Sequence, residues 1–203
     1  MSITMNTAIP GSARQFSSGA GALAQVLQAS VVEVRSGESG SGTGIIWGGA
    51  GLIVTNAHCV PRGASIEVHA HGGWHSARTI AYHPHHDLAL LASSSVSGPL
   101  LELRDVESLR AGELVFAHGH PLGVRDALAM GIIHGVARDQ RTNQPRWVVA
   151  DVRLAPGNSG GPLVDAEGRL VGINSMVVNG LGVAVPSNLV RQFVEHALAR
   201  RAA

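Results

Sequence analysis

Short apolar runs, many of them alternating with polar positions, recur along most of the chain between clusters of turn residues. Alternation with a period of two is typical of β-strands that bury one face. The first half contains six such segments, at residues 31–34, 44–47, 52–56, 65–70, 75–82 and 88–92. After a polar connector, six more lie at residues 114–118, 129–137, 147–152, 162–165, 170–176 and 182–185. With no amphipathic helices between them, these segments predict an all-β fold of two closed six-stranded antiparallel barrels.

Helical spacing of apolar residues is confined to the two ends of the pattern. A short helix is predicted after about Gly19, and a terminal helix over residues 186–203, packed on the second barrel. The predicted organisation is a flexible tail at residues 1–20, a first barrel at 21–110, and a second barrel with the terminal helix at 111–203.

Composition agrees with many short strands and narrows the range of partners. The 203 residues include 26 Gly and 9 Pro, and only 14% are charged. A net charge of +1 with dispersed basic residues argues against a nucleic-acid partner. The single cysteine, Cys59, cannot form an internal disulfide, and residues 1–30 contain no secretion signal, so we expect a cytoplasmic protein, although the periplasm is also compatible. No apolar run has the ~18 residues that a membrane span requires.

Three residues have the chemistry that peptide hydrolysis by a hydroxyl needs, namely a nucleophile, a base and a carboxylate that orients the base. His58 follows a predicted strand in Thr-Asn-Ala-His-Cys, Asp87 opens the apolar strand Leu-Ala-Leu-Leu, and Ser159 lies in the loop Pro-Gly-Asn-Ser-Gly-Gly-Pro. Backbone N–H groups converge on one point only where the chain can adopt tight or left-handed turns, so the glycines of this loop predict an oxyanion hole made by Gly157 and Ser159.

Each of these residues alone has an ordinary structural explanation. A histidine after a strand is usually structural, an aspartate at a strand start is usually a turn or cap residue, and a glycine-rich loop can be only a tight turn. Their joint occurrence, in the order His, Asp, Ser, favours catalysis.

In these motifs the chain resembles the HtrA/Deg branch of the trypsin-like serine proteases. The resemblance rests on five blocks in family order, at residues 55–58, 87–91, 119–123, 156–162, and 172–174 with 182–188. It implies a pair of six-stranded barrels with the active site between them, serine endopeptidase activity on protein or peptide substrates, and no cofactor. No sequence follows the terminal helix to form the PDZ domain usual in the family, so we expect a protease domain without one. The loops at residues 47–51 and 177–182 are short, so a family-like trimer is not implied, and homo-oligomerisation is left open.

The same resemblance implies a substrate pocket beside the serine, lined by Arg153, Leu154, Ser175, Met176, Val177 and Gly182. Val177 stands where relatives with wide pockets have glycine, and its branched side chain is expected to obstruct large aromatic residues. Arg153 occupies the position that holds aspartate in trypsin, which disfavours cationic substrates. Two options remain: an outward Arg153 with a shallow pocket for small aliphatic residues, which we favour, or an inward Arg153 that pairs with an acidic residue.

Three other interpretations compete with this one. The loop at Ser159 also fits the G-x-S-x-G pattern of α/β-hydrolases, but those enzymes need alternating strands and helices and a catalytic histidine after the serine. The 11 histidines include two groups with transition-metal ligand chemistry, His69, His71 and His75, and His83, His85 and His86, but no cysteine or carboxylate cluster completes a site, so no metal is predicted. A catalytically silent protease-like module that only binds peptides is the non-enzyme alternative.

Overall fold

The first barrel is formed by the amino-terminal half of the chain. A computed structural model describes residues 11–37, 41–49 and 51–202. The strands of this barrel are β1 (Val31–Ser36), β2 (Ser41–Ile46), β3 (Leu52–Thr55), β4 (Ile66–Ala70), β5 (Gly73–His83) and β6 (Leu88–Ala92). They are antiparallel and close in the order β1-β2-β3-β6-β5-β4.

The second barrel repeats this architecture. Its strands are β7 (Leu114–Gly119), β8 (Ala127–Arg138), β9 (Pro145–Asp151), β10 (Pro162–Asp165), β11 (Leu170–Val178) and β12 (Leu181–Pro186), closed in the order β10-β11-β12-β9-β8-β7. The predicted fold class of two six-stranded barrels with a carboxyl-terminal helix is therefore confirmed. The division of the chain at residue 110 stays a prediction.

Helix α1 (Gly11–Gln28) is longer than the sequence predicted. Residues 11–20 were expected in a flexible tail but are helical, and residues 1–10 of that tail lie outside the described residues. The first part of this helix was not predicted from the sequence because it is rich in Gly and Ser, which have low helix propensity. Packing of Leu23 and Leu27 into the core stabilises the helix.

Helix α2 (Ser187–Ala202) ends the described chain and buries Val190, Phe193 and Val194. These side chains pack against both barrels, including Leu88 and Leu90 of the first, whereas the sequence predicted contact with the second barrel. Within the described residues, neither α1 nor α2 combines the length and apolar character needed to cross a bilayer.

Strand β6 contributes side chains to two hydrophobic cores, because successive residues of a strand point to opposite faces. In β6, Ala89 and Leu91 point into the first barrel, while Leu88 and Leu90 join the core between the barrels and α2. A strand whose faces are both buried reads as a continuous apolar run, as residues 88–92 do. The barrels are thus packed against each other, and His58 and Asp87 of the first barrel lie beside Ser175 of the second.

Candidate active site

His58 lies at the rim of the first barrel, in the 3₁₀ turn Ala57–Cys59 that follows β3. The fully buried Asn56 precedes this turn and donates from Nδ2 to the backbone carbonyl of Asp87 at 2.9 Å. Since β3 pairs with β6, the end of one strand lies beside the start of the other, and this bond fixes the two turns together. The His58 side chain is 51% exposed, so a substrate in the cleft can reach it.

Asp87 joins the turn Pro84–His86 to β6 in a left-handed conformation, with φ 53°, which aspartate tolerates better than most residues. Its Oδ2 lies 2.9 Å from His58 Nδ1, and its Oδ1 accepts the backbone N–H of His58 at 3.1 Å. A carboxylate can only accept here, so Nδ1 carries the proton, and in the neutral ring Nε2 is left as the basic nitrogen.

This contact shifts the acidity of both partners. The hydrogen bond to Asp87 raises the pKa of His58 to about 10. Partial burial by itself would raise the pKa of Asp87, but the hydrogen bonds from His58 and Ser175 outweigh it and the pKa is lowered. Asp87 is therefore ionised at neutral pH, and it stabilises positive charge on His58.

Ser175 connects the acid to the second barrel. The pairing of β11 with β12 shifts register between Asn174 and Met176, so Ser175 sits in an irregularity of the strand. Such irregularities re-aim side chains near active sites. The Ser175 hydroxyl donates to Asp87 Oδ2 at 2.5 Å, and its backbone carbonyl accepts the hydroxyl of Ser159 at 3.1 Å.

Ser159 lies in the segment of residues 154–161 between β9 and β10, which we call the nucleophile loop. Among the described residues, its hydroxyl is hydrogen-bonded to Ser175 and not to His58. The structure thus brings His58 and Asp87 into direct contact and links Ser159 to them through Ser175.

Four consecutive carbonyl groups of the nucleophile loop, from Pro156 to Ser159, are each held by a hydrogen-bond donor. The donors are, in chain order of the acceptors, the Leu122 N–H at 3.0 Å, the Thr43 hydroxyl at 2.6 Å, the Gly161 N–H at 3.0 Å and the Thr43 N–H at 2.8 Å. The N–H of a trans peptide points opposite to its C=O. The held carbonyls of Pro156 and Asn158 therefore fix the directions of the Gly157 and Ser159 N–H groups.

Those two N–H groups, predicted to form the oxyanion hole, have no acceptor among the residues that the structure describes. Gly157 has φ +102°, and an added Cβ would lie 2.4 Å from the carbonyl oxygen of His120, so only glycine fits. Two unpaired N–H groups beside a nucleophile can stabilise a developing oxyanion.

A cavity of about 390 Å³ opens beside Ser159. Its walls come from the nucleophile loop and β11: Leu154, Ala155, Pro156, Asn158, Ser159, Asn174, Ser175, Met176 and Val177. Four of the six predicted pocket residues are among them.

The other two predicted pocket residues do not line this cavity. Arg153 is exposed and follows the end of β9 by two residues. Gly182 is buried beneath Leu154, where an added Cβ would lie 3.1 Å from the Leu154 Cδ1. Whether Arg153 and Gly182 belong to the substrate pocket stays a prediction.

The histidines considered as metal ligands are distributed along β4, β5, the turn between these strands and the turn before Asp87. Across the described ranges, no three His, Cys, Asp or Glu residues are grouped so that they could hold a metal ion. His83 and His86 stack with ring centroids 4.3 Å apart, and His71 is hydrogen-bonded to the Ser97 carbonyl.

Sequence reasoning missed the orienting contact of Ser175 and all contacts of Thr43. Ser175 was predicted only as a pocket residue. Thr43 is 114 positions from its partner Gly157, and a threonine inside a strand gives no sequence signal of such a contact.

The comparisons with known proteins agree on one family. The sequence model of the trypsin-like peptidase domain family matches residues 42–173. A probable periplasmic serine endoprotease, DegP-like, from Chlamydia pneumoniae is 31% identical over 79% of this chain. The serine protease Do-like HtrA of Bacillus subtilis is 35% identical over 80% of it, and the mouse serine protease HTRA4 is 36% identical over 77%. The chain spans only 34% to 40% of the length of these three relatives.

A solved structure is similar in fold. The crystal structure of Deg5 superposes with a TM-score of 0.78 at 26% identity and covers 88% of this chain, which in turn covers 93% of that one.

Proposed function

This chain belongs to the trypsin-like serine proteases of the HtrA/Deg type, and on that premise we propose that it is an endopeptidase that works through His58, Asp87 and Ser159. Ser159 is the nucleophile and His58 the general base. Asp87 keeps His58 in the tautomer with a basic Nε2 and stabilises the imidazolium. The N–H groups of Gly157 and Ser159 bind the oxyanion.

One observation carries the proposal: a histidine oriented by a carboxylate at 2.9 Å lies in the same cleft as a serine beside two N–H groups that have no acceptor in the described part of the chain. A structural histidine would need only the first feature, and a tight turn would normally satisfy its own N–H groups. Their combination supports acyl transfer.

The reaction proceeds in two halves. Ser159 Oγ attacks the peptide carbonyl carbon while His58 Nε2 takes the hydroxyl proton, and the negative carbonyl oxygen lies against the two N–H groups. His58 then gives the proton to the leaving amine as the C–N bond breaks, which leaves an acyl ester on Ser159. Water attacks this ester while His58 takes one of its protons, and His58 then returns a proton to Ser159 Oγ as the ester C–O bond breaks and the carboxylic acid leaves.

Attack requires the Ser159 hydroxyl to exchange its partner. In the structure the hydroxyl donates to the Ser175 carbonyl at 3.1 Å. Rotation about the Cα–Cβ bond redirects it toward His58, a change between staggered rotamers that is small in energy. Catalytic hydrogen bonds often form only in the substrate complex.

The substrates we propose are unfolded segments of proteins with a small aliphatic residue before the cleaved bond. The cavity beside Ser159 is mostly apolar, with Leu154 and Val177 in its walls, and exposed Arg153 supplies no charge to it. Of the two options left open by the sequence, this arrangement supports the aliphatic one. The cytoplasmic location stays a prediction from the sequence, and homo-oligomerisation stays open.

The test is proteolysis of casein by the purified chain and by Ser159→Ala, with Ser95→Ala as a control at an exposed serine. We expect fragments from the wild type and from Ser95→Ala, and none from Ser159→Ala. A fluorophosphonate probe should label the first two and spare the third. Cleavage that survives in Ser159→Ala would overturn the proposed nucleophile.

The second candidate is a silent module that binds peptides in the same cleft. It is favoured by the hydrogen bond of the Ser159 hydroxyl to Ser175 in place of His58. Saturable peptide binding without fluorophosphonate labelling of the wild type would establish it.

A further inference from the structure

Thr43 lies in β2 of the first barrel and is completely buried against the nucleophile loop of the second. Its hydroxyl donates to the Gly157 carbonyl at 2.6 Å and accepts the His120 backbone N–H at 3.2 Å. Its own N–H donates to the Ser159 carbonyl at 2.8 Å. One residue thus contacts the nucleophile loop on both sides of Asn158.

These contacts fix peptide orientation and not merely position. Because peptide units are planar and trans, holding the Gly157 carbonyl directs the Asn158 N–H the opposite way, where it bonds Ala155 at 3.0 Å. Holding the Ser159 carbonyl likewise directs the Gly160 N–H to Asn174 at 2.8 Å. The peptide between them, which carries the Ser159 N–H, is therefore clamped at both ends.

The loop needs such an anchor because it is rich in glycine. Gly157 and Gly160 both have positive φ, at +102° and +86°, and peptide groups next to glycine reorient at low cost. A rotated Gly157 or Asn158 peptide would turn a carbonyl oxygen toward the site where an oxyanion must bind. A loop in that state would repel the transition state.

The hydroxyl of Thr43 also satisfies two backbone groups in different segments. It serves the Gly157 carbonyl and the His120 N–H at once, and both are buried residues. Buried polar groups that lose their partners carry a large desolvation penalty. Without the hydroxyl, the nucleophile loop and the segment that contains His120 would therefore rearrange to recover hydrogen bonds.

We propose that Thr43 is the positioning residue of the oxyanion hole: through its hydroxyl and its N–H, the first barrel holds the nucleophile loop in the orientation that aims the Gly157 and Ser159 N–H groups at the substrate. This inference rests on the proposed function. It assigns Thr43 no contact with substrate.

The decisive comparison is Thr43→Ser against Thr43→Ala, since these variants differ by one oxygen atom and both lack the methyl group. Ser93→Ala serves as a control, because Ser93 is also buried and its hydroxyl donates one hydrogen bond, to the Ser76 carbonyl at 2.8 Å, beyond the end of β6 that is opposite Asp87. Thr43→Val, which removes the hydroxyl without leaving space, is the second hydroxyl-free variant if Thr43→Ala does not fold.

Two measurements are made on each variant. For a peptide substrate, kcat should fall about 10- to 100-fold in Thr43→Ala relative to Thr43→Ser, with KM changed less than about twofold, because the loss is confined to the transition state. Amide hydrogen exchange of residues 154–161 should be faster in Thr43→Ala than in Thr43→Ser. Ser93→Ala should match the wild type in both measurements, whatever its effect on stability.

Equal kcat and equal loop exchange in Thr43→Ser and Thr43→Ala would overturn the inference, as would an equal loss in Ser93→Ala. A wild type without Ser159-dependent activity would instead overturn the proposed function. In that case the exchange measurement alone decides whether the Thr43 hydroxyl holds the loop: faster exchange only in the hydroxyl-free variant supports it, and unchanged exchange refutes it.

Discussion

The hydroxyl of Ser175 lies 2.5 Å from Oδ2 of Asp87, although the two residues are 88 positions apart in the chain. Asp87 belongs to a turn of the first barrel and Ser175 to the irregularity in β11 of the second. The contact therefore crosses the cleft between the barrels. It makes the orientation of the acid depend on how the second barrel is docked.

Removing this contact should weaken catalysis without abolishing it. In Ser175→Ala the Asp87 carboxylate keeps its bonds to His58 but loses the hydrogen bond that the Ser175 hydroxyl donates to it. A hydrogen bond to a charged acceptor is worth about 1.5–3 kcal/mol. We expect kcat to fall at least about tenfold, less than for Asp87→Asn. The backbone carbonyl that accepts the Ser159 hydroxyl is unchanged, so fluorophosphonate labelling should slow but persist. A wild-type kcat in Ser175→Ala would contradict this role.

The rate should depend on pH through His58, which must be neutral to accept a proton. Because Asp87 raises the pKa of His58, the fraction of neutral imidazole increases only at alkaline pH. We therefore expect kcat/KM to rise with pH well beyond 6.5, measured from pH 5 to 10.5. An inflection at or below 6.5 in the wild type would show that Asp87 does not control His58.

The matched variant is Asp87→Asn, which retains the shape of the side chain and removes the charge. The pKa of His58 should move back toward 6.5, and kcat should drop by about 10⁴-fold, because the amide can stabilise the wrong tautomer. A profile with unchanged inflection would indicate that another group titrates.

The strands could be predicted from the sequence because each depends on the pattern of neighbouring residues. All twelve strands were predicted from apolar or alternating runs and turn residues, and the strands that begin at Leu88 and Pro162 start at the predicted residues. The first part of helix α1 was not predicted because its glycines and serines give a weak helical signal, and the helix is stabilised by tertiary packing of Leu23 and Leu27.

The site could be predicted only in part for a related reason. His58, Asp87 and Ser159 each stand in a recognisable motif, whereas Thr43 acts through the register of two barrels packed against each other. Which way Arg153 points likewise depends on the path of the chain leaving β9. Such contacts join residues far apart in sequence, and no periodicity encodes them.

Substrate preference should follow the width of the cavity beside Ser159. Val177 lines it, and replacing this side chain by glycine removes the branched obstruction. We expect Val177→Gly to gain cleavage after Phe and Tyr in a peptide library, while the wild type prefers Val or Ala. Val177→Gly enlarges the cavity by the volume of about three carbon atoms. We therefore expect kcat/KM for cleavage after Phe or Tyr to rise about tenfold relative to cleavage after Val or Ala.

Arg153→Ala is the control for this preference, since Arg153 is exposed and outside the cavity. Its cleavage pattern should be that of the wild type. A wild type that cleaves mainly after Asp or Glu, and loses this in Arg153→Ala, would instead establish the acidic preference and an inward-pointing Arg153.

His118 is a different kind of histidine, because it is completely buried in β7 near the nucleophile loop. Neither ring nitrogen has a hydrogen-bond partner among the described residues. Burial lowers its pKa to about 4, against the smaller opposing effect of Asp126. The folded protein therefore holds His118 neutral at pH values where the unfolded chain is already protonated.

The stability of the fold should depend on this difference. Between about pH 6.5 and pH 4 the unfolded state binds a proton at residue 118 that the folded state does not, so the free energy of unfolding decreases as pH falls through this range. At about 1.4 kcal/mol per pKa unit, the loss attributable to His118 is about 3 kcal/mol. His118→Leu removes this proton and two unpaired ring nitrogens while keeping a similar volume, so it should flatten the pH dependence and be more stable than the wild type at pH 4.5. Urea unfolding at pH 7.5 and 4.5 measures both effects, with the exposed His134→Leu as the control for losing a histidine. If His118→Leu loses as much unfolding free energy as the wild type between these two pH values, the buried ring does not cause the acid sensitivity.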